Sequence, residues 1–416
     1  MLAARHDDVD ASAALALLSA QAVRERAHEM LELGLANALP NFRIDPERLQ
    51  PTADFVANVI RENYPGLHVP PHARWRHFVF AGRDLWQEIA QSAIWSNPAA
   101  RARAQFDLAI VSVLLDAGAG ADWRFNDEPT GLTVGRSEGL ALASLRMFAS
   151  GVFSSDPRDP LRADAVRLAA LTTNDLARGF QVGAENPIAG LEGRAALLAR
   201  LGGALLAQPD VFARCDAARP GGLFDHFAAR FGQNVSAPAA LTELLIKLAA
   251  IWPPRQNLAG IPLGDTWKHN AIRRPDATDT LVPLHKLSQW LLYSLIEPLI
   301  SAGVAVHDLD GLTGLAEYRN GGLLIDTGVL IARDPALAGR ALAVGSEAVV
   351  EWRALTVALL DRIAPLVRDT LGVARDAMPL ASILEGGTWA AGRRLAAQKR
   401  RDGSPPLMIL SDGSVF

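Results

Sequence analysis

Polar side chains recur along a segment that is otherwise apolar, VPLHKLSQWLLYSLIEPLI at positions 282–300. Residues three and four apart share a face of a helix, so these side chains form one polar stripe: His285, Lys286, Gln289, Tyr293 and Glu297. Such a stripe can face solvent or join the helix to its neighbours. It can also form a pocket wall, in which the ammonium binds an anion while the amide and the phenol orient a ligand.

A second polar cluster lies in LDGLTGLAEYRNGGLLIDTGVL, where four polar residues precede a glycine pair: Glu317, Tyr318, Arg319 and Asn320. Two glycines permit backbone of positive φ or a close approach to a ligand. Asp326 follows within an apolar run. A capped turn with a surface ion pair is the alternative interpretation of the same residues.

A buried cation is indicated in GSEAVVEWRALTVALLDRI, because Arg353 shares a helix face with the apolar residues Val357 and Leu360. An unpaired charge in an apolar setting is costly, so Arg353 needs a partner. That partner is either a protein carboxylate or the anion of a ligand. Glu351, two residues earlier, adds a candidate carboxylate for the same site.

The loop at 251–283 is the segment richest in turn residues, and long ordered loops are often functional. It contains Trp267, which could stack on a planar ligand, and Lys268. Lysine is scarce here, with four among 416 residues, so Lys268 and Lys286 stand out as places where a compact ammonium is wanted.

The chain closes with LEGGTWAAGRRLAAQKRRDGSPPLMILSDGSVF. Its glycine pair and Thr388 predict the N-terminus of a helix over 388–401, with Thr388 as the N-cap. A glycine pair at a helix N-terminus can hold a phosphate, although many helices without ligands begin in this way. Trp389 and Arg393 follow as binding candidates, and Asp412 is a further carboxylate.

Other motifs carry no site. His68, His72 and His77 are close in sequence, but prolines interrupt them and the spacing does not match a metal centre, so we expect no metal. GLTVGRSEG is not expected to have the strand-before-helix context that a dinucleotide fold requires. There is no Gly-x-Ser-x-Gly nucleophile elbow.

Helical periodicity recurs through most of the chain and predicts a mostly α fold with at most a small sheet. The helices are predicted at 11–37, 82–94, 104–117, 137–150, 162–178, 192–207, 238–250, 284–301, 337–371 and 388–401. Short strands are expected around Thr133–Val134 and in LMILSD near the end. We expect 1–416 to be one large helical unit. The alternative is two lobes, at about 1–250 and 251–416, with the pocket between them.

Composition narrows the function classes. The net charge is -4 and no basic block occurs, so binding to nucleic acid is not expected. The single cysteine, Cys215, excludes an intrachain disulfide and suits a reducing cytoplasm. The N-terminus lacks the pattern of a signal peptide. The longest apolar stretch, LAIVSVLL, is too short to span a bilayer, so no membrane association is expected.

Several of these stretches together resemble the uracil-catabolism protein 4 family, catalogued as a domain of unknown function. They are LVPLHKLSQWLLYSLIEPL, LTGLAEYRNGGLLIDTGVL, LEGGTWAAGR and the terminal SDGSVF, with RAHEMLELGLANALPNFRID and VPPHARWRHF earlier. The resemblance covers essentially the whole chain. It implies a role in uracil degradation, beside a relative of GTP cyclohydrolase II and often a uracil phosphoribosyltransferase.

A fainter resemblance is to the queuosine-salvage nucleotide glycosylases, helical proteins related in fold to DNA glycosylases. Lys286 and Gln289 resemble their Lys-x-x-Gln helix, LTGLAEYR their Leu-Thr…Asp-Tyr-Arg segment, and EWRALT their Glu-x-Arg-Ala helix. The glycine-led helix in RSEGLALASLRMFASGVFSSDP is also similar. One departure matters, because Glu317 stands where those proteins have aspartate and so places its carboxylate one methylene further out.

The resemblances imply a hydrolase that cleaves the N-glycosidic bond of a ring-opened uracil nucleotide or nucleoside, such as ribosylurea or its 5′-phosphate. Glu317 would oppose the positive charge of the sugar, with Asp326, Glu351 or Asp412 as a second carboxylate. Lys286, Arg319 and Arg353 would bind phosphate, and Trp267 or Trp389 would stack on the base or ureide. No cofactor is expected. An amidohydrolase of the same pathway and a non-catalytic nucleotide-binding protein are the alternatives.

Overall fold

The computed structural model describes residues 2–120 and 122–410, and helices account for most of them. The helices are α1 (Leu2–Leu17), α2 (Ala20–Leu35), α3 (Leu49–Asn63), α4 (Leu85–Ser92), α5 (Pro98–Leu114), α6 (Arg136–Ala149), α7 (Ala165–Ala169), α8 (Thr173–Gly179), α9 (Leu191–Leu206), α10 (Pro209–Phe212), α11 (Gly222–Phe231), α12 (Ala237–Lys247), α13 (Lys286–Ser301), α14 (Tyr318–Asp326), α15 (Glu347–Leu371), α16 (Leu380–Ile383) and α17 (Trp389–Lys399). The expected mostly α fold is confirmed.

Strands are short and occur in separate pairs. They are β1 (Phe42–Ile44), β2 (Val79–Phe80), β3 (Arg83–Asp84), β4 (Phe125–Asp127), β5 (Leu132–Val134), β6 (Asn234–Ser236), β7 (Asn257–Leu258), β8 (Ile261–Pro262), β9 (Thr266–Lys268), β10 (Leu281–Pro283), β11 (Ala305–His307), β12 (Leu330–Ala332), β13 (Ala341–Ala343) and β14 (Met408–Leu410). Within the described ranges each strand has one partner: β1 with β12, β2 with β3, β4 with β5, β6 with β11, β7 with β8, β9 with β10 and β13 with β14. The two strands expected from the sequence are β5 and β14.

Three pairs position the segments around α13. β10 pairs antiparallel with β9, in the register Val282 to Trp267, and leads directly into the helix. The hairpin of β4 and β5 precedes α6. β14 pairs in parallel with β13, which fixes the segment after α17 against the body of the protein.

The core is built around long apolar helices. α13 packs against α5 and α12, while α15 packs against α2 and α3, so helices from the first and last thirds of the chain share one contiguous cluster of buried residues. α13 is buried along most of its length. Glu297 is half-buried, and Ile300 and Ser301 at the end of the helix are exposed. None of the helices in the described part of the chain is both long and apolar enough to cross a membrane.

Several helix boundaries differ from those predicted. The helix expected at 11–37 is two helices, because Ser19 caps α2 by accepting a hydrogen bond from Ala22 N. α3 was missed; its Pro51 lies in the first turn, where no N–H is needed for the helix. α11 was also missed. The helix expected from 337 begins at Glu347, because the preceding residues form a short turn and β13.

The expected helix start at Thr388 is wrong. The helix begins at Leu380, and Leu384–Thr388 forms a π-helical turn that joins α16 to α17. Thr388 has helical φ and ψ of -64° and -40° and lies inside the helix, so it does not cap it. The glycines serve packing: a Cβ on Gly387 would lie 2.7 Å from Val56 Cγ1, and one on Gly386 2.8 Å from Val69 Cγ1.

Candidate active site

A cavity of about 300 Å³ lies between α6, α13, the start of α14 and α17. Two groups of side chains line it. The charged wall consists of Asp116, Arg136, Ser137, Lys286, Glu317, Tyr318 and Arg319, and the ring wall consists of His72, His77, Trp290 and Trp389. Leu315, residues 117–120 and the segment 402–409 complete the lining.

Lys286 is the first residue of α13 and projects into the cavity. Its backbone N–H donates to Asp265 Oδ2 at 3.0 Å, which fixes the helix start. Its ammonium lies over the Trp290 ring, 5.5 Å from the centroid, and no hydrogen bond or ion pair from a described residue reaches it. Burial lowers the pKa of Lys286, while the charges of Glu317 and Asp116 oppose that shift. An ammonium held in this way is available to an anion.

Glu317 precedes α14 and caps it, because its carboxylate accepts hydrogen bonds from Arg319 N at 2.7 Å and Asn320 N at 2.5 Å. Each oxygen keeps further lone pairs for a ligand. Burial raises the pKa of Glu317, and the two backbone donors and the Lys286 charge counteract part of that rise. The Glu317 carboxylate is therefore fixed in place and shielded from solvent.

Arg319 adds a second cation to the charged wall. Its Nη1 donates to Gly403 O at 2.9 Å, and its guanidinium lies 5.0 Å from the centroid of the Tyr318 ring. Within the described ranges no carboxylate forms an ion pair with it. α14 brings it here through close packing with α17, since a Cβ on Gly392 would come within 2.2 Å of Arg319 O.

Asp116 is a cavity carboxylate that the sequence did not single out. Ser137 Oγ donates to its two oxygens at 2.7 and 2.6 Å, and Arg74 Nη1 lies 3.2 Å from Oδ2. Arg74 is fully buried and is also bonded through Nε to Ser112 Oγ at 2.6 Å. This network holds Asp116 at the end of α5 with its negative charge compensated.

The ring wall is a box of four rings. His72 stacks on Trp290, with centroids 6.0 Å apart and planes at 22°, and its centroid lies 6.0 Å from that of Trp389. His77 stands perpendicular to both indoles, at 6.0 Å from Trp290 and 5.7 Å from Trp389. At such spacings the four rings pack against one another, and the faces they present to the cavity suit a planar group of a ligand.

The two histidines have different surroundings. His72 Nδ1 lies 2.6 Å from Glu385 Oε2, on the π-helical turn, and its backbone N–H donates to Ala381 O at 2.9 Å. His77 Nδ1 is buried without a hydrogen-bond partner among the described residues. Burial, together with the positive charge of Arg74, holds the pKa of His77 well below its usual range, which favours the neutral imidazole.

A sequence model of the family described as "Protein of unknown function (DUF1688)" matches residues 16–416. Protein urg3 of Schizosaccharomyces pombe is 38% identical over 410 residues, which is 96% of this chain and 98% of that protein. Uracil catabolism protein 4 of Lachancea kluyveri is 36% identical over 412 residues, 90% of this chain and 92% of that protein.

The chain belongs to the DUF1688 family. The resemblance to the uracil-catabolism protein 4 family inferred from the sequence is thereby confirmed. The quoted segments LVPLHKLSQWLLYSLIEPL, LTGLAEYRNGG and LEGGTWAAGR contribute Lys286, Glu317, Arg319 and Trp389 to one cavity of this family member.

Of the residues proposed as the site, these four line the cavity and Arg353 does not. Arg353 Nη1 and Nη2 donate to the two oxygens of Asp265, each at 2.8 Å, and both side chains are buried. The expectation that Lys286, Arg319 and Arg353 share one cavity is therefore wrong for Arg353. Its partner is the protein carboxylate that the sequence left open as an alternative.

The two candidates of the 251–283 loop lie elsewhere. Trp267 Nε1 donates to Asp265 Oδ1 at 2.6 Å, and its ring packs against Gly345, so it supports the Asp265–Arg353 pair and does not line the cavity. Lys268 is exposed on β9. The loop contributes Asp265 to the scaffold, and the sequence did not identify that residue.

Three more predicted residues form structural hydrogen bonds behind the cavity. His285, with a φ of 45°, bonds Leu17 O through Nε2 at 2.9 Å. Gln289 exchanges bonds with Thr313, whose N–H donates to Oε1 at 2.9 Å. Asn320 accepts from Thr388 Oγ1 at 2.9 Å, which links α14 to the π-helical turn.

Asp326, Glu351 and Arg393 also have protein partners. Asp326 forms a bidentate ion pair with Arg400, at 2.8 and 2.5 Å. Glu351 accepts from Phe42 N at 2.7 Å and from Asn41, and lies 3.2 Å from His269 Nε2. Arg393 pairs with Glu138 and covers the Trp389 ring at 4.8 Å. Asp412 lies outside the described residues.

Sequence reasoning missed His72, His77, Asp116, Ser137 and Trp290. In the sequence, His72 and His77 were candidates only for a metal centre, and their spacing did not match one. In the described part of the chain no three His, Cys, Asp or Glu side chains form a group that could hold a metal ion. The useful signal was VPPHARWRHF, which belongs to the segments that carry the family resemblance.

Proposed function

We propose that this protein acts in uracil catabolism as a hydrolase that cleaves the N-glycosidic bond of a ring-opened uracil nucleotide or nucleoside, ribosylurea or its 5′-phosphate. The products would be urea and ribose or ribose 5-phosphate. The name of the Lachancea kluyveri relative, Uracil catabolism protein 4, supports the pathway. The observation that carries the reaction is the meeting of Glu317, Lys286 and Arg319 in one cavity.

The charged wall suits the sugar and its phosphate. Cleavage of a glycosidic bond passes through an oxocarbenium-like state, which a nearby carboxylate stabilises. Glu317 is the buried carboxylate without a salt-bridge partner among the described residues that line the cavity, so its charge acts through a medium of low polarity. It would face C1′ and accept a proton from the attacking water.

Phosphate would bind to Lys286 and Arg319, two of the cavity cations for which the described residues show no carboxylate ion pair. Lys286 offers three N–H donors, and Arg319 offers the guanidinium donors that Gly403 O does not occupy. Charge-assisted hydrogen bonds to phosphate are stronger than neutral ones. The cavity volume of about 300 Å³ is at the lower end of small-molecule sites, which suits one sugar with a small substituent.

Placement of Glu317 also bears on the alternative of a non-catalytic nucleotide-binding protein. Such a protein needs cations for the phosphate, whereas a buried carboxylate beside them repels an anion, and the capping of α14 by Glu317 does not itself require a charged side chain. Glu317 and Lys286 are close enough to shift each other's pKa. This arrangement favours a reaction that develops positive charge on the ligand.

Release of urea from ribosylurea 5′-phosphate tests the proposal. The purified protein is incubated with that compound and with free ribosylurea, and urea and the reducing sugar are measured together. Uridine 5′-phosphate, whose pyrimidine ring is closed, is the control substrate and should be left intact. Failure to release urea from either ureide, with a folded protein, contradicts the proposed reaction.

A further inference from the structure

The ring wall contains a histidine–carboxylate pair that the proposed role of the charged wall leaves unused. His72 and Glu385 come from segments 313 residues apart and meet at 2.6 Å, with both side chains almost entirely buried. A carboxylate on Nδ1 fixes the orientation of an imidazole, and the opposite nitrogen is then the one that acts. Among the described residues the hydrogen bond to the His72 ring is made at Nδ1 and none is made at Nε2, and His72 lines the cavity.

We propose that the ring wall binds the leaving group and that His72, oriented by Glu385, is the general acid that protonates the departing ureide nitrogen. This inference rests on the proposed function. It names a catalytic residue and a subsite within that cavity. The ureide would lie on the cavity side of the ring wall, next to the His72 ring.

The position of Trp290 supports this division of the cavity. One ring contacts both walls, because the Lys286 ammonium lies 5.5 Å from its centroid while His72 stacks on it at 6.0 Å. A sugar bound near Lys286 and Glu317 would therefore direct its C1′ substituent toward the imidazole. Urea is a poor leaving group as an anion, so cleavage of its C–N bond needs a proton donor.

In the proposed cleavage the C1′–N bond breaks and its electron pair goes to the ureide nitrogen. That nitrogen takes the proton of the His72 imidazolium from Nε2. The water oxygen forms a bond to C1′ and gives a proton to the Glu317 carboxylate. Transfer of that proton back to His72 through solvent restores both residues. One water is consumed, and urea and ribose or ribose 5-phosphate are formed, without an oxidant or reductant.

His77 provides an internal contrast. It packs against the same two indoles but has no carboxylate on its Nδ1, and burial lowers its pKa. A neutral imidazole can accept or donate one hydrogen bond but is a poor proton donor. The two histidines thus supply a matched pair in which only His72 is built for acid catalysis.

Substrates that differ in their need for a proton separate the roles. Ribosylurea, with or without the 5′-phosphate, needs one, whereas 4-nitrophenyl riboside releases a stable phenolate without help. We expect His72→Gln to lower kcat for ribosylurea by about 100- to 10,000-fold, the usual contribution of general acid catalysis. The same variant should lower the rate on the nitrophenyl riboside by less than about tenfold. Glu385→Gln should show the same selectivity with a smaller loss.

His77→Gln is the matched control and should affect both substrates to the same extent. Thermal unfolding of each variant shows whether it is folded, and Glu385→Gln serves if His72→Gln is not. Equal losses on both substrates in the His72 and Glu385 variants would overturn the acid role while leaving the glycosidase intact. A wild-type protein that cleaves neither ureide would instead overturn the proposed function, and the leaving-group role with it.

Discussion

Two groups of buried charges flank the first turn of α13, and they differ in how completely the protein pairs them. On one side Asp265 accepts two hydrogen bonds from Arg353, one from the Trp267 indole and one from the Lys286 backbone N–H. On the other side the Lys286 ammonium and the Glu317 carboxylate line a cavity and keep free bonding capacity.

The difference distinguishes scaffold from site. A buried ion pair with every hydrogen bond satisfied holds elements together, and its loss is a loss of stability. Charges left open in a cavity are paired by a ligand, so their loss is a loss of binding or rate. Substitutions in the Asp265–Arg353 pair should therefore affect stability, and those in the Lys286–Glu317 group should affect binding or rate.

The largest effect is expected for the scaffold pair. Asp265→Ala removes the carboxylate that holds Arg353, Trp267 and the start of α13, and should lower the free energy of unfolding by about 3–5 kcal/mol. Denaturant unfolding measures the change. The double variant Asp265→Ala, Arg353→Met removes the buried cation as well and should recover part of the loss. If Asp265→Ala lowered the free energy of unfolding by less than about 1 kcal/mol, that result would contradict a scaffold role.

Glu317→Gln should affect the rate far more than stability. The amide keeps the size of the side chain and can still cap α14, but it lacks the charge that opposes the oxocarbenium. We expect urea release to fall on the order of a hundred- to a thousandfold, equivalent to roughly 3–4 kcal/mol. Stability should fall by about 1 kcal/mol, the usual worth of a cap.

Turnover and unfolding of Glu317→Gln measured side by side check this expectation. Asp326→Asn is the control, because Asp326 pairs with Arg400 and does not line the cavity. Turnover of the Glu317 variant near the wild-type rate would place the catalytic carboxylate elsewhere, with Asp116 next to be tested.

Lys286→Met should discriminate between the two forms of the substrate. The thioether side chain preserves packing on Trp290 but offers no charge to phosphate. A hydrogen bond to a charged group contributes about 1.5–3 kcal/mol, so binding of ribosylurea 5′-phosphate should weaken roughly ten- to a hundredfold. Affinity for free ribosylurea should change much less. The free energy of unfolding should fall only slightly, because the ammonium has no hydrogen-bonded partner among the described residues and the Glu317 carboxylate loses only a nearby charge. Calorimetric titration with both compounds checks this, and equal losses would show that Lys286 does not bind the phosphate.

The smallest expected effect is on the pH profile. Burial raises the pKa of Glu317, and its ionised form is the active one, so activity should be lost on acidification at a higher pH than an exposed glutamate would give. The Lys286 charge lowers that pKa, so Lys286→Met should move the acidic limb further upward while Lys286→Arg should leave it nearly in place. An acidic limb that does not move in Lys286→Met would exclude Glu317 as its origin.

The sequence predicted the fold class and four cavity residues, and the reasons are physical. Helical periodicity is a local property, so α5, α6, α9, α13 and the two strands at 132–134 and 408–410 could be anticipated. α3 was missed since Pro51 hides a helix start, and the helix at 380–399 was misplaced since a glycine pair within it suggested a beginning.

The other site residues could not be predicted, because their roles depend on side chains that are distant in sequence. Lys286 and Arg353 look alike in sequence, as cations among apolar residues. They differ because Arg353 pairs with the Asp265 carboxylate, which is 88 residues away in sequence, and no local sequence pattern predicts that contact. His72 and Glu385 are further apart still, so the pair could be found only when the folded chain placed them together.

The π-helical turn at Leu384–Thr388 has an evolutionary consequence. Such a turn arises when one residue is inserted into an α-helix, and each residue of an α-helix advances by about 100° around the axis. Here Glu385 meets His72 while Trp389, four positions later, faces the cavity and packs on the same imidazole. Loss of a single codon within the turn would restore a regular helix and rotate Trp389 and all that follows relative to Glu385. A deletion in this turn would therefore damage the site far more than its small residues suggest. One in-frame deletion would be enough for the site to be lost in evolution.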